Sequence, residues 1–489
     1  MTKSAAVISV TIDGRSVSVP PGTTVLEAAR RLSLGIESPC GGNGTCGKCG
    51  VSIGGETALA CQSAITAPVE ITTEKKEDEN KTLQILSGGS SFKYPLKPAY
   101  PDGCGIVIDI GTTTLVAELI ELGGGRRLAG ESRLNPQSVF AQDVLSRISY
   151  ASEDDGLKTL QRELQSALNE MIADMRRSAG GGAVREAVYS GNTAMLHIAC
   201  GVNPSPLGKF PYDAPLECGR SVKADGLNID GDIYLPPIIS AFVGADITSG
   251  ILASRLHERK ETTLFIDIGT NGEIVLATDG RLTATSTAAG PAFEGMNIAC
   301  GMRAARGAVE RFEIDGDGTA VFSVIGGGEP TGICGSGLFD IASALVRSGI
   351  VGKSGRFTNG ARQYDITDKV FITQKDIRQL QLAKGAVRTG IDALLRETGV
   401  DARGVDRVEI AGSFGYHLSE RSLLDIKLLP PELEGRVHFV GNTSQAGGTA
   451  FLLNTDFREE MRRVVSEVRV IELAADENFQ ARFIASLGF

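Results

Sequence analysis

The first part of the chain alternates apolar and polar residues in the way that half-buried β-strands do. Residues 7–12 and 17–19 predict two strands, and Asp13-Gly14 between them predicts a hairpin turn. Thr24 and Glu27 have the spacing of a capping box, which indicates that a helix begins here. The apolar positions of that helix fall on one face, at Val25, Ala28, Ala29 and Leu32. We therefore expect a strand, a turn, a strand and a helix that share one small core.

A second apolar pattern occurs twice in the remainder of the chain. The segment IVIDIGT at 106–112 returns as LFIDIGT at 264–270, and apolar residues resume at Leu115 and at Ile274. Each copy predicts a buried strand that breaks into a Gly-Thr turn and then reverses. Two unrelated hairpins are the plainer interpretation, but the repetition of the whole segment favours an internal duplication.

Helical patterns and glycine turns lie around the second copy. Apolar spacing predicts helices over 247–256 and 379–395. The segment CGSGL at 334–338 opens another helical pattern, and AGSFG at 411–415 follows a strand-like stretch at 408–410. Strands that alternate with helices indicate an α/β protein.

A charged stretch and a proline-containing stretch separate the two regions. EKKEDENK at 74–81 predicts a solvated segment, and KYPLKPAYP at 93–101 predicts an extended, semi-rigid one. The predicted organisation is a domain at 1–73, a linker at 74–103 and a domain at 104–489, whose halves are about 104–260 and 261–489. A length of 489 residues is sufficient for two or more domains.

Composition and charge narrow the function classes. The net charge of −10 disfavours binding to nucleic acid or to an anionic membrane surface. The beginning of the chain has no signal-length apolar core, and no apolar run approaches the length of a membrane span. Scattered cysteines favour a reducing cytoplasm; they are Cys104, Cys200, Cys218, Cys300 and Cys334.

Four cysteines have the spacing of a cluster site. Cys40, Cys46 and Cys49 lie within ten residues, and Cys61 follows. A [2Fe–2S] cluster requires four thiolates, and the glycines between the first three allow a tight backbone wrap. Zinc is the main rival, but structural zinc usually takes paired C-x2-4-C knuckles, and only Cys46 and Cys49 form one. A disulfide framework is less suited to a chain of this length without a secretory signal.

The repeated Asp-x-Gly-Thr segment predicts a phosphate site. A hairpin of this type can direct backbone amides and hydroxyl groups at a phosphate. An aspartate at the end of the strand can hold Mg²⁺ through water. Asp109 and Asp267 occupy that position in the two copies.

Both regions resemble known folds. Residues 5–73 resemble the β-grasp ferredoxins, with the cysteine spacing of the adrenodoxin-like branch. The two Asp-x-Gly-Thr hairpins resemble the phosphate-1 and phosphate-2 loops of the actin, sugar kinase and chaperone ATPase superfamily. The resemblance implies an α/β multidomain protein, with a ferredoxin domain, a linker and two ribonuclease H-like halves that enclose ATP.

The superfamily resemblance also implies a set of site residues. Asp109, Asp246 and Asp267 are the expected catalytic residues, with Asp246 orienting the attacking water unless it only caps the helix at 247–256. The cysteine spacing described above separately predicts Cys40, Cys46, Cys49 and Cys61 as the cluster ligands. Contacts with Mg-ATP are expected from the phosphate loops and from two adenosine-side turns, namely Gly111, Thr112, Thr113, Gly269, Thr270, Asn271, Gly335, Ser336, Gly337, Gly412 and Ser413.

Short blocks outside these loops resemble one family, the reductive activators of corrinoid proteins. The blocks are NPQ at 135–137, DVLSRI at 143–148, SGNTAM at 190–195, VGAD at 243–246 and GNTS at 441–444. The resemblance implies that ATP drives one electron from the [2Fe–2S] cluster to Co(II) of a corrinoid protein in a methyltransferase system, which restores Co(I). The well-known activators carry a further small domain where this chain has only the 74–103 linker.

The same resemblance implies the partners. We expect a corrinoid protein, an upstream donor such as reduced ferredoxin or a flavoprotein, and a second copy of the chain in a homodimer, but neither nucleic acid nor a membrane. Plant-type clusters lie near −400 mV, and the family's Co(II)/Co(I) couple is understood to lie lower. ATP would then offset an uphill electron transfer.

Three other functions stay open at this point. The first is an ATP-driven electron donor to another low-potential metalloenzyme; those donors carry a [4Fe–4S] cluster between subunits and no ferredoxin domain. The second is a small-molecule kinase with a redox-sensing domain, which would phosphorylate an added acceptor. The third is a nucleotide-gated binding module, which would bind ATP without hydrolysing it.

Several polar residues are expected to have ordinary roles. Lys384 could reach the nucleotide, but a surface position is the simpler expectation. The four histidines form no metal-binding spacing, and a structural role is expected for His197, His257, His417 and His438.

Overall fold

The computed structural model describes residues 7–32, 34, 36, 38, 42, 44, 49–73, 93–412 and 418–489. Within these ranges, one five-stranded sheet and two six-stranded sheets organise the chain. Two smaller sheets of three and two strands accompany them. The alternation of strands and helices confirms the predicted α/β class.

The N-terminal sheet is the predicted ferredoxin-like unit. Its strands are β1 (Ile8–Ile12), β2 (Arg15–Val19), β3 (Gly50–Ile53), β4 (Glu56–Leu59) and β5 (Val69–Thr73), in the order β2-β1-β5-β3-β4. Helix α1 (Val25–Arg31) begins at Thr24, whose hydroxyl accepts from the Glu27 amide at 3.2 Å while the Glu27 carboxylate accepts from the Thr24 amide at 2.9 Å. The predicted capping box and hairpin are thus confirmed.

The second sheet begins with the first copy of the repeat. It contains β6 (Cys104–Ile110), β7 (Thr114–Glu121), β8 (Arg127–Leu134), β9 (Val184–Gly191), β10 (Arg220–Lys223) and β11 (Asp232–Leu235), in the order β10-β11-β9-β6-β7-β8. The helices of this part are α2 (Val144–Ala151), α3 (Gly156–Ser178), α4 (Thr193–Ala199) and α5 (Ala245–Ser254). Helix α5 lies two residues earlier than the sequence pattern predicts.

The third sheet begins with the second copy. It contains β12 (Thr263–Ile268), β13 (Gly272–Thr278), β14 (Arg281–Thr287), β20 (Arg407–Ala411), β21 (Val437–Gly441) and β22 (Arg469–Val470), in the order β21-β20-β12-β13-β14-β22. The small sheets are formed by β15 (Ala308–Ile314), β16 (Ala320–Val324) and β17 (Gly332–Ile333), and by β18 (Gln363–Asp365) and β19 (Phe371–Thr373). The helices are α6 (Gly335–Arg347), α7 (Gln374–Thr398), α8 (Glu420–Asp425), α9 (Thr443–Leu453), α10 (Asp456–Glu467) and α11 (Phe479–Ala485).

The two six-stranded sheets share one topology. Strands β6-β7-β8 and β12-β13-β14 form equivalent antiparallel meanders. In each sheet a later strand, β9 or β20, pairs in parallel with the first strand of the meander. Asp109 and Asp267 occupy the same place near the ends of β6 and β12, which confirms the internal duplication.

Helices α5 and α9 pack between the two sheets. One buried cluster joins Val107 of β6, Phe265 of β12, Ile251 of α5 and Phe451 of α9. The helices approach closely because α9 has Gly447 at the crossing, where a Cβ would overlap the Ser249 carbonyl. Helix α9 therefore returns to the first sheet although it follows the second in sequence, and the predicted halves interlock.

The proline-containing stretch lies along this C-terminal part rather than free in solvent. The Lys97 amide donates to Leu453 O at 2.8 Å, and the Thr455 amide donates to Lys97 O at 3.0 Å. Tyr94 meets the edge of Phe457 with ring centroids 5.3 Å apart. This stretch is thus anchored through Tyr94 and Lys97, whereas residues 99–101 form bends and are not extended as predicted. The charged stretch at 74–81 lies outside the described residues.

The α5–α9 crossing generates a stability prediction. Gly447→Ala should lower the unfolding temperature by several degrees, because overpacking typically costs about 1–3 kcal/mol and each kcal/mol is about 2–4 °C in a large domain. Gly316→Ala is the matched control, since a Cβ there would meet nothing within 4 Å. Differential scanning fluorimetry compares the two variants, and equal unfolding temperatures would contradict the close crossing.

Candidate functional site

Two of the four predicted cluster cysteines lie side by side. The Cys49 and Cys61 sulfurs are 3.3 Å apart, and both side chains are buried. This separation exceeds the S–S bond length of about 2.05 Å, and neither thiol is in a disulfide. Two thiols at this distance can bind the same iron atom, which fits a [2Fe–2S] cluster.

The described glycines of the cysteine loop also fit a cluster. Gly42 has φ +99°, and a Cβ there would lie 3.3 Å from Leu26 and 3.8 Å from Cys61. The loop backbone therefore passes close to Cys61, as a wrapped ligand loop must. The side-chain nitrogen Nε2 of Gln62 donates to the Cys61 sulfur at 3.7 Å. Cys40 and Cys46 lie outside the described residues, so their place in the ligand set stays a prediction.

The two repeated turns face each other across one cleft. The Thr113 and Thr270 hydroxyls, one from each copy, are 3.5 Å apart. Most predicted nucleotide-site residues line this cleft, namely Asp109, Gly111, Thr112, Thr113, Asp246, Asp267, Gly269, Thr270, Asn271, Gly335, Ser336 and Gly412. The structure therefore brings together residues that are far apart in sequence.

The first turn is supported from behind by a buried arginine. The Arg147 guanidinium donates to the Thr112 carbonyl and, at 3.1 Å, to Gln137. Asn135 donates to the Gly111 carbonyl at 2.8 Å. Burial lowers the pKa of Arg147, and the charges of Asp143 and Glu294 oppose that shift. The blocks at 135–137 and 143–148 thus support the turn that was predicted to bind phosphate.

Four carboxyl groups form an acidic cluster in the cleft. Burial raises the pKa of Asp246 to about 7, with a smaller contribution from Asp109. Burial, together with Asp246 and Asp109, raises the pKa of Asp267 to about 8. Burial, together with the charges of Asp246 and Asp267, raises the pKa of Glu273 well above its ordinary value. Carboxylates forced together in this way are suited to a divalent cation, whose charge offsets their repulsion.

Asp109 is held in place by the opposite end of the chain. Asn442 donates to one of its carboxylate oxygens at 2.9 Å, and Ser444 donates to the other at 2.8 Å. Both residues belong to the block at 441–444 and lie at the start of α9. These bonds lower the pKa of Asp109, although burial raises it more.

Some of the residues predicted to contact adenosine line the cleft, and one of them packs behind it. Gly335 and Ser336 line the cleft at the first turn of α6, where backbone N–H groups are available to an anion. Gly337 is not part of the lining, because it packs where a Cβ would overlap the Val309 carbonyl. Gly412 has φ +109°, and a Cβ there would lie 2.6 Å from Ile268 O. Ser413 lies outside the described residues.

Lys384 is neither a nucleotide ligand nor a surface lysine. Its side chain is completely buried, and its ammonium donates to the Gly488 carbonyl and lies over the Phe489 ring at 5.3 Å. Burial lowers the pKa of Lys384 to about 7. The pattern of a long amphipathic helix does not reveal this position, because the C-terminal residues that cover it are remote in sequence.

Two of the histidines have the expected structural contacts. His197 is buried, with Nδ1 2.7 Å from Thr193 O and Nε2 accepting from the Leu216 amide at 3.1 Å. His257 Nε2 lies 2.7 Å from a Glu460 carboxylate oxygen. His438 is exposed in β21, and His417 lies outside the described residues.

Sequence reasoning missed several residues of the cleft. Glu273 pairs with Asp267 across the β12–β13 hairpin, and Glu294 accepts from the Thr270 hydroxyl at 2.6 Å. Asn192 and Asn442 also line the cleft. Glu273 could have been found, since it is a charged residue in an otherwise apolar strand. Glu294 carries no comparable sequence signal.

Among the helices of the described ranges, none combines the length and the apolar character that a transmembrane span requires.

Comparison with known proteins agrees with this architecture. The model described as the C-terminal domain of RACo, the ASKHA domain, matches residues 261–489. The RACo middle region model matches residues 104–259, and a 2Fe-2S iron-sulfur cluster binding domain model matches residues 10–86. Together they account for both predicted cofactor classes, a [2Fe–2S] cluster and Mg-ATP.

Two relatives and one solved structure are similar over most of the chain. The corrinoid activation enzyme RamQ of Eubacterium limosum is 33% identical over 427 residues, which cover 80% of this chain and 71% of RamQ. A Co(II) methylated amine-specific corrinoid protein reductase of Methanosarcina barkeri is 25% identical over 424 residues, covering 79% and 77%. The solved reductive activator for corrinoid, iron-sulfur protein is 27% identical, with a TM-score of 0.75 and coverage of 99% and 98%. The chain therefore belongs to the RACo family, the reductive activators of corrinoid proteins.

Proposed function

We propose that this chain is an ATP-hydrolysing reductase that returns Co(II) in a corrinoid protein to Co(I), the form that accepts a methyl group. The observation that carries the proposal is the presence, in one chain, of the Cys49–Cys61 thiol pair and the two-loop nucleotide cleft. Two relatives named for corrinoid activation and corrinoid protein reduction support the choice of substrate.

Further details follow from the same proposal. The corrinoid partner belongs to a methyltransferase system, and a reduced ferredoxin or flavoprotein supplies the electron. The chain acts as a homodimer in the cytoplasm, where its described cysteines remain free. We also propose the organisation into a ferredoxin domain at 1–73, a linker at 74–103 and an ATPase domain at 104–489.

The proposed chemistry takes place at two sites, the cysteine site for electron transfer and the cleft for ATP hydrolysis. Cys49 and Cys61, with Cys40 and Cys46, hold the [2Fe–2S] cluster, which supplies one-electron chemistry when bound. The turns at 111–113 and 269–271 hold the phosphates of ATP. The carboxylates of Asp109, Asp246, Asp267 and Glu273 hold Mg²⁺, and the role predicted for Asp246, orienting the attacking water, stays a prediction.

ATP is required because the electron transfer is uphill. For one electron, each shortfall of about 59 mV costs a factor of ten, or about 1.4 kcal/mol. A shortfall of about 100–200 mV therefore needs only about 2–5 kcal/mol from nucleotide binding or hydrolysis. The nucleotide need not touch the cluster. It is sufficient that it favours a state that binds the Co(I) product form better, or one that releases this product irreversibly.

The first prediction concerns the cluster. Cys61→Ala should remove the visible absorption and both irons, because it deletes a buried ligand beside Cys49. Cys300→Ala, which changes a partly exposed free cysteine, is the matched control and should retain both irons. Iron and acid-labile sulfide analysis of anaerobically purified protein measures this. Stoichiometric zinc in place of iron would contradict the cluster assignment.

The second prediction tests the coupling of ATP to the electron. Asp267→Asn and Asp246→Asn should each leave the cluster reducible but stop ATP-dependent formation of Co(I), since a lost charged ligand commonly costs several kcal/mol in the transition state. Asp279→Asn is the control, because Asp279 is exposed in the β13–β14 turn and its φ of 48° suits asparagine.

The measurement is a pair of rates for each variant. Phosphate release and the visible spectrum of a Co(II) corrinoid protein are followed together, with a reductant and Mg-ATP. If either cleft variant forms Co(I) at the wild-type rate, the proposed function is contradicted. Phosphorylation of an added small molecule would instead favour a kinase.

The third prediction concerns pH. Asp246 and Asp267 have pKa values raised to about 7 and about 8 in the folded protein, whereas unfolded aspartates titrate near 4. The folded state thus binds more protons than the unfolded state between these values, so this contribution to stability is lost as pH rises through 7–8.

In EDTA, the unfolding temperature should therefore fall between pH 5.5 and 8.5, and it should fall less steeply in Asp267→Asn. Added Mg²⁺ should reverse the trend, because the cation binds the deprotonated carboxylates. Thermal denaturation across this pH range provides the measurement. Parallel pH profiles for the wild type and the variant would show that the acidic cluster does not destabilise the cleft.

A further inference from the structure

Glu294 enters the cleft from a rigid turn after β14. The Gly290 amide donates to the Thr270 carbonyl at 2.9 Å, which ties this turn to the second phosphate loop. Phe293, the preceding residue, is completely buried against Phe339, with ring centroids 5.0 Å apart. Gly295 follows with φ +75°. The backbone on both sides of Glu294 is therefore fixed, and its side chain lines the nucleotide cleft.

The two oxygens of the Glu294 carboxylate are in different situations. Oε1 accepts a hydrogen bond from the Thr270 hydroxyl at 2.6 Å. Oε2 is also buried, yet it has no hydrogen-bond partner among the described residues. A buried carboxylate oxygen without a donor is costly. It is therefore expected to serve a group that arrives with the substrate.

Glu294 lies close to both predicted phosphate loops. Thr270, which donates to it, lies 3.5 Å from the Thr113 hydroxyl of the first loop. The charge of Glu294 also acts on Arg147 and opposes the lowering of its pKa by burial. The Arg147 guanidinium donates to the Thr112 carbonyl of the first loop. The carboxylate is thus placed where the two loops meet, which is where the terminal phosphate of ATP is expected.

We propose that Glu294 is a catalytic residue of ATP hydrolysis, whose Oε2 accepts a hydrogen bond from the attacking water. This inference rests on the proposed ATPase function. It identifies the residue that takes the proton from the attacking water. The water oxygen forms a bond to the γ-phosphorus while the bond from that phosphorus to the bridging oxygen breaks, and its electron pair leaves with ADP. The proton lost by the water rests on Glu294 and then passes to solvent.

Glu294 is better suited to this role than Asp246. Asp246 lies among three other carboxyl groups, and one of its oxygens accepts from the Ile247 amide at 2.9 Å. A cation in that cluster would occupy its remaining lone pairs. Glu294 is held by Thr270 with one oxygen still available. Asp246 then serves the cation, and its loss should change the Mg²⁺ requirement.

The test compares variants of the full-length protein with its cluster. Glu294→Gln keeps the shape but cannot take a proton, so kcat for phosphate release should fall about 100-fold or more. KM for Mg-ATP and Kd for Mg-ADP should each stay within about threefold. Glu294→Asp should recover part of the rate, because it restores a carboxylate. Glu329→Gln, on an exposed residue, is the control.

Each outcome decides the inference. Hydrolysis by Glu294→Gln within about threefold of the wild-type rate would overturn it. An equal loss of Mg-ADP affinity, or loss of folding in both variants by thermal denaturation, would make Glu294 structural and also overturn it. Absence of phosphate release by the wild type would likewise overturn the inference, because there would be no hydrolysis for Glu294 to catalyse.

The test also separates this inference from the proposed function. If Glu294→Gln loses hydrolysis as expected while the wild type makes no Co(I), the reductase proposal fails and the catalytic role stands. If the wild type makes Co(I) with ATP and Glu294→Gln hydrolyses ATP at the wild-type rate, the reductase proposal stands and the catalytic role of Glu294 fails.

Discussion

The burial of four neighbouring carboxyl groups, those of Asp109, Asp246, Asp267 and Glu273, is the constraint around which the ATPase part is built. Burial, and to a smaller extent the neighbouring carboxylates, raises the pKa values of Asp246 and Asp267, so these groups destabilise the folded chain when they are ionised. Something must hold the two sheets together against this cost. The α5–α9 crossing does so, because it joins both sheets in one apolar cluster. Burial at about 25 cal/mol per Å² of apolar surface is the force available for this.

This arrangement links the cleft, through α9, to the proline-containing stretch at 93–101. Helix α9 supplies Asn442 and Ser444 to Asp109 at its start, and the residues at its end pair with the 93–101 stretch. That stretch belongs to the linker proposed at 74–103 between the ferredoxin domain and the ATPase domain. A cation or nucleotide that relieves the acidic cluster therefore acts on the element to which the linker is anchored. This is a physical route by which ATP can bias the ferredoxin domain without contact with the cluster.

Much of the fold could be predicted from the sequence because local and global signals agree. The Thr24–Glu27 capping box and the repeated IDIGT segment each specify local structure, and the structure places them as expected. The shared cleft was expected only because the two Asp-x-Gly-Thr turns resemble the phosphate loops of a known superfamily, and the structure places both turns in one cleft. Gly335 and Ser336 were expected from the resemblance to the adenosine-side glycine turns of that superfamily, and both line the cleft.

The remaining features depend on contacts between distant segments, which no local pattern records. Lys384 reads as a surface residue until the chain's last residues cover it. Gly337 reads as a ligand contact, but its lack of a side chain serves packing against β15. Glu294 has no motif at all; its importance comes only from the Thr270 hydroxyl on one oxygen and the buried, unpaired position of the other. Catalytic groups of this kind are found by following the hydrogen bonds of a site outward, since selection acts on where a carboxylate ends up rather than on its neighbours in sequence.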